Sequence, residues 1–157
     1  MSDTIITYKL DGESLIVESK YGSETYDAQF LVAALLIYVA RGSGSIEPEE
    51  SSEMLALIHE HFNLPAAESL ELLTRAMSEL AEKPELPHLL AELGQSLSET
   101  EKEDIAFMAL KVIAADGRRE VEEMERFNEV LAAIDTPAHI VHQAFDRYFA
   151  ETMPGEQ

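Results

Sequence analysis

The chain has no cysteine and no tryptophan, and its 11 lysines and arginines stand against 31 aspartates and glutamates. Without cysteine, a disulfide framework, a thiolate metal site and a cysteine nucleophile are all excluded. The net charge of −20 repels phosphate backbones, so no nucleic-acid partner is expected. The same charge repels anionic membrane faces. Such a surface attracts cations and basic protein patches, and it also favours solubility. Long apolar runs are missing as well. The longest, "FLVAALLIYVA" at 30–40, falls well short of the roughly 20 residues that cross a bilayer. It reads as a buried helix, with no direct membrane insertion. "MSDTIITYKL" at 1–10 lacks the basic and apolar regions of a signal peptide, so a cytoplasmic location is expected.

Sequence signatures of catalysis are absent too. No Gly-x-x-x-x-Gly-Lys phosphate loop occurs. No Gly-x-Ser-x-Gly elbow occurs either, and "GSGS" at 42–45 lies between helices rather than after a strand. The reading is therefore of a protein that is not an enzyme.

What is present is a single compact domain's worth of core: 157 residues, 46% of them hydrophobic. Residues 4–21, "TIITYKLDGESLIVESKY", alternate apolar and polar on either side of Asp11-Gly12. That pattern predicts a small β-hairpin that must pack on something larger. From Asp27 onward the period is helical. Asp27 caps a helix to about residue 40, and Pro48 opens one to about 62. Pro65 opens another to 82, "KPELP" at 83–87 breaks the chain, and a short helix runs to 97. Ser98 with Glu101 makes a capping box for a helix to 115. Two more follow, from about 120 to 134 and, with Thr136 as N-cap before Pro137, to about 150. The division expected is a hairpin extension at 1–26, a helical domain at 27–151 and a tail at 152–157.

The two halves of the helical region repeat. At an offset of 73, Val39 meets Val112, Glu49 and Glu50 meet Glu122 and Glu123, and Leu57 and Ile58 meet Val130 and Leu131. One residue fewer then sets Pro65 on Pro137. Each half reads as helix, glycine loop, helix, proline, helix, which predicts two three-helix units about a pseudo-twofold axis.

The stretches "AADGRREVEEMERF" at 114–127 and "GSIEPEESSEML" at 44–55 resemble the tellurite-resistance TerB-like family over about residues 28–150. The resemblance implies an all-α, seven-helix bundle of two pseudo-symmetric three-helix halves, here preceded by the hairpin. It further implies a non-catalytic module of a stress-response system, a candidate responder to metal. Ser43 stands where the first half would carry the aspartate, and Arg119 where the second would carry a hydrophobic residue.

The glutamates have two open roles. Glu50 shares the inward stripe of its helix with Met54, Leu57, Ile58 and Phe62, and Glu123 matches it with Phe127, Val130, Leu131 and Ile134. A carboxylate buried there needs a partner. At the third helical position it can satisfy free amides of the first turn, which is the commoner use. Alternatively Asp116, Glu120 and Glu123, with Glu47 and Glu50 from the other half, hold a hard divalent cation such as calcium, magnesium, manganese or zinc. An EF-hand is excluded, because Gly117 directly follows Asp116 instead of standing at the sixth loop position. His139 and His142 lie three apart on one helix without an evident third ligand, and His61 extends the Glu50 stripe as a boundary core residue. On function two readings stand: a divalent-cation-responsive acidic module, or a protein-interaction, co-chaperone-like adaptor without metal. Either implies a protein partner.

Overall fold

The computed structural model describes residues 5–11, 14–20, 22–43, 46–83, 85–115 and 121–152. Among them the chain forms a three-stranded antiparallel sheet followed by seven α-helices. The strands are β1 (Ile5–Asp11), β2 (Ser14–Ser19) and β3 (Gly22–Tyr26), in that order across the sheet. The helices are α1 (Ala28–Ala40), α2 (Pro48–Phe62), α3 (Ala66–Glu82), α4 (Leu86–Gln95), α5 (Glu99–Ala114), α6 (Val121–Ala133) and α7 (Ala138–Thr152). A short 3-10 turn, Arg41–Ser43, follows α1.

The hairpin expected at 4–21 is there, with two differences. Asp11 pairs with Ser14 as the last residue of β1, and Gly12 and Glu13 lie outside the described residues. A third strand also lies on β2, setting Leu15 opposite Tyr26 and Val17 opposite Glu24. The inward face thus carries Leu15, Val17 and Tyr26, all buried in the helical core. A sheet this small is marginal alone. β2 rests on α4, and β3 on α1.

Two helices form the centre. In α1 every residue from Phe30 to Ile37 is buried, and in α5 every residue from Ile105 to Leu110. A helix apolar on all sides belongs inside a bundle. Around this pair the halves exchange contacts: α1 packs on α3 and on α6, and α5 packs on α7 and on α2. That reciprocity is the pseudo-twofold arrangement the repeat implied. The helix ends repeat as well. Asn63 (φ 54°) and Asp135 (φ 59°) each close a helix in the left-handed region. The following amide then reaches back five residues, Leu64 N–H to the His59 carbonyl at 3.2 Å and Thr136 N–H to that of Leu131 at 2.9 Å. Each next helix begins on a proline carbonyl, which accepts from Ser69 N–H at 3.0 Å in one half and from Val141 N–H at 3.2 Å in the other.

Thr136 was expected to cap α7 with its side chain. It does not: Pro137 supplies a carbonyl instead, and the Thr136 hydroxyl is buried without a hydrogen-bond partner among the described residues. Its amide is committed to the tight turn, which carries the side chain inward. Elsewhere the caps are as read. The Asp27 carboxylate accepts from Phe30 N–H at 3.0 Å, and Ser98 Oγ accepts from Glu101 N–H at 3.2 Å. Ser98→Ala is therefore expected to cost about 1 kcal/mol by chemical denaturation, the usual loss for a serine cap. An unchanged midpoint would remove the cap from the account of α5.

Candidate acidic site at the helix starts

Glu50 and Glu123 occupy equivalent places in the two halves, each in the first turn of its helix and each buried, 0% and 1% exposed. The helical stripe that carries them is also as read: Met54, Leu57 and Ile58 follow Glu50 inward, and Phe127, Val130 and Leu131 follow Glu123. Glu47 precedes α2 in extended backbone, Pro48 fills the first helical position, and Glu50 Oε1 accepts from Glu47 N–H at 2.9 Å. One carboxylate oxygen is thus used in capping. The other, Oε2, is buried with no hydrogen-bond partner among the described residues. A carboxylate oxygen is the donor type that a hard cation takes.

The ends of the two central helices meet the acidic helices of the opposite half. Gly42, in the turn after α1, lies against the start of α6. A Cβ there would sit 2.7 Å from the Glu122 carbonyl oxygen and from Glu123 N and Cα. In the other half, Lys111, Ala114 and Ala115 at the end of α5 line an open depression of about 700 Å³ with Pro48, Glu49, Ser52 and Glu53 of α2. Each central helix therefore ends beside the first turn of the other half's acidic helix. Close approach is what the first loop's glycine permits.

Of the five candidate ligands, Asp116 and Glu120 lie outside the described residues. Among the described residues no three histidines, aspartates or glutamates come together as a metal-holding group, so Glu47, Glu50 and Glu123 do not make one by themselves. The histidines fall elsewhere. His139 is exposed, with Nε2 3.7 Å from Glu99 Oε1, and His142 is exposed one turn on. His59 Nδ1 is bonded to the Leu64 carbonyl. His61, expected at the core boundary, is exposed: its end of α2 lies over charged Asp104, Lys111 and Arg147, and its ring leans on Phe62.

Sequence reasoning missed a second charged cluster, in which the sheet meets α3. Tyr26 donates to Glu24 Oε2 at 2.9 Å and to Glu79 Oε1 at 3.2 Å. Lys83, 3% exposed, pairs with Glu79 and lies 3.6 Å from Glu24 Oε1. Arg75 Nε lies 3.5 Å from Glu79 Oε2, and the guanidinium lies 5.0 Å from the Phe30 ring centre. Two carboxylates face two cations here. The Glu24 carboxyl is held above its ordinary value, first by its hydrogen bond with Glu79 and then by burial. Burial works to raise Glu79 as well, but its bonds to Glu24, Lys83 and Tyr26 outweigh that and hold it low. Burial, followed by the Glu24 bond, pushes the Tyr26 phenol far up, so it stays a donor. Arg75, Glu79 and Lys83 stand four apart, a visible helical charge pattern. Nothing in the sequence pointed it at residue 26. This cluster fastens sheet to helix.

The model of the family described as tellurite resistance protein TerB matches residues 29–148. The chain belongs to the TerB family. The match opens within α1 and ends within α7, so the TerB region is the helical bundle and the sheet lies before it. No curated protein matches the chain. The fold is similar to the crystal structure of a protein of unknown function, PG1108 from Porphyromonas gingivalis W83. That similarity has a TM-score of 0.59 and 18% identity, covering 78% of this chain and 89% of the other. At that identity the likeness is one of fold. Among the described residues no helix is long and apolar enough to cross a membrane.

Proposed function

We propose that this TerB-family chain is a non-catalytic acidic module of a tellurite-resistance-like stress-response system in the cytoplasm. It responds to a divalent cation at the starts of α2 and α6. Glu50 carries the reading, since a fully buried carboxylate keeps one oxygen without a hydrogen-bond partner among the described residues. Glu123, equally buried at the matching place in the other half, extends it. Glu47, Asp116 and Glu120 are the remaining oxygen donors nearby in sequence. Calcium, magnesium, manganese and zinc are the ions to try. With a net charge of −20, the protein partner is a basic surface.

Thermal melts in chelator and in millimolar cation test this. The wild type is expected to melt higher with one of the four ions, because an ion bound only by the folded state stabilises it. Glu50→Gln and Glu123→Gln should each abolish that shift, and each should melt above the wild type in chelator, where repulsion is relieved. The capping bond from Glu47 N–H to Glu50 Oε1 favours a second reading, an adaptor without metal. On that reading Glu50→Gln costs about 0.5–2 kcal/mol, the range of capping losses, whatever ion is present. Loss of stability with no cation dependence in any variant ends the cation reading and leaves the adaptor.

A further inference from the structure

A cavity of about 220 Å³ opens between α1, α3, α4 and α6, away from the acidic helix starts. Ala34, Leu35, Leu80, Leu90 and Val130 make its walls. Its polar groups are the Tyr38 hydroxyl, the exposed carboxylate of Glu129 and the exposed imidazole of His88. Tyr38 donates its hydroxyl to Glu129 Oε1. Arg126, one turn before Glu129, makes no ion pair with that carboxylate. Its Nη1 donates to the Tyr38 carbonyl at 2.9 Å, and its guanidinium packs 4.4 Å from the Tyr38 ring centre. Among the described residues no cation pairs with Glu129.

We infer that this cavity is a binding site for a small organic ammonium: a compact apolar body seated between the helices, with its charged nitrogen on Glu129. The walls set the body. An apolar cavity of about 150 Å³ accepts a benzene-sized guest, so the larger volume takes a ring and one further carbon. The mouth sets the charge. A carboxylate oriented by a hydroxyl, at the edge of an apolar space that weakens water's screening, favours a cationic hydrogen-bond donor over a neutral one. An anion would meet both Glu129 and the protein's own negative field.

The probe is benzylamine, which is protonated at neutral pH, titrated into the full chain and followed by amide chemical shifts. Benzyl alcohol and benzoate serve as neutral and anionic controls of similar shape. The expected result is saturable binding of benzylamine, with shifts centred on Leu35, Ala91 and Val130, and with the alcohol weaker and benzoate silent. Glu129→Gln should weaken benzylamine by about tenfold, or about 1.4 kcal/mol, and leave the alcohol unchanged. Ala91→Met, which narrows the cavity, should weaken both. Equal binding of alcohol and amine, unchanged binding to Glu129→Gln, shifts centred elsewhere, or no saturable binding would each overturn the proposal. The comparison of amine with alcohol needs only the wild-type chain, so it decides even if a variant fails to fold.

Discussion

Gly42→Ala is expected to destabilise the protein by about 3 kcal/mol or more, at the upper end of what one extra carbon costs in a packed site. The added Cβ would lie 2.7 Å from three atoms, and all three are backbone: the Glu122 carbonyl oxygen and Glu123 N and Cα. A side chain can turn away from such a contact; the first turn of a helix can only move as a whole. Gly94→Ala is the control. Its Cβ would come 2.4 Å from Ile134 Cγ2 and 3.1 Å from Ile134 Cβ, so a buried side chain must shift, but no helix backbone blocks it. Gly94 is also the next-to-last residue of α4, where alanine gains at most about 1 kcal/mol of helix propensity over glycine. The expected net cost at Gly94 is therefore smaller, about 1–2 kcal/mol. Denaturant midpoints at unchanged slope give both numbers. Equal costs, or a harmless Gly42→Ala, would mean that the turn after α1 does not fix the start of α6. Because that start carries Glu123, the Gly42 variant should also blunt any cation-dependent shift in melting.

The glycine-bearing stretches of sequence at 41–45 and 114–120 recur because each half needs its long apolar helix to end and its acidic helix to begin within a few residues. In the first half this brings the 3-10 turn onto α6. The chemistry that follows is consistent: a carboxylate in the first turn of a helix is favoured by the free amides and the dipole there. What singles out Glu50 is its burial, since capping glutamates at a surface keep water on their second oxygen. Position in the helix explains one oxygen of Glu50, while the other has no hydrogen-bond partner among the described residues.

The helical part of the fold was legible because its signals are local. Asp27, Pro48 and the Ser98–Glu101 box mark starts within one helical turn, and the 3.6-residue stripe of Glu50, Met54, Leu57 and Ile58 marks the buried face. The proline repeat was legible for the same reason, and the left-handed Asn63 and Asp135 sharpen it, since asparagine and aspartate tolerate that backbone. β3 was not legible. Its residues Gly22 to Glu24 are exposed and polar, and Tyr26 is its one buried side chain, too little for an alternating pattern. The strand forms because β2 offers an edge, a tertiary cause. His61 failed for the reverse reason: it obeys the stripe, but its end of α2 is exposed among charged neighbours. The Glu24–Tyr26–Arg75–Glu79–Lys83 cluster joins residues as far apart in the chain as Glu24 and Lys83, so spacing could show only its half on α3.

That cluster gives the other large effect. Lys83→Met should cost about 3 kcal/mol, the low end of the loss on removing one partner of a buried ion pair. The low end applies because Arg75 still faces Glu79, and Glu24 is partly in water. Methionine keeps most of the lysine's volume, so the loss reads charge rather than packing. Replacing both partners, Glu79→Leu with Lys83→Met, should recover more than half of the loss, because no buried charge is then stranded. A double variant worse than the sum of the singles would show that Tyr26 depends on Glu79 more than on Glu24. The pH dependence has a sign for each acid. Glu79 is held low in the folded state, so its contribution is complete above the unfolded carboxyl value, about 4.3, and disappears as pH falls through the lower folded value. The melting difference between wild type and Glu79→Gln should accordingly be full at neutral pH and close in acid. Glu24 is held high, so its contribution is complete below the unfolded value and declines as pH rises through the folded one. Glu24→Gln should therefore cost most in acid and least at neutral pH, the opposite slope. Parallel slopes for the two variants, in melts between about pH 3 and 8, would mean that the carboxylates titrate independently and that the sheet is held to α3 by packing alone.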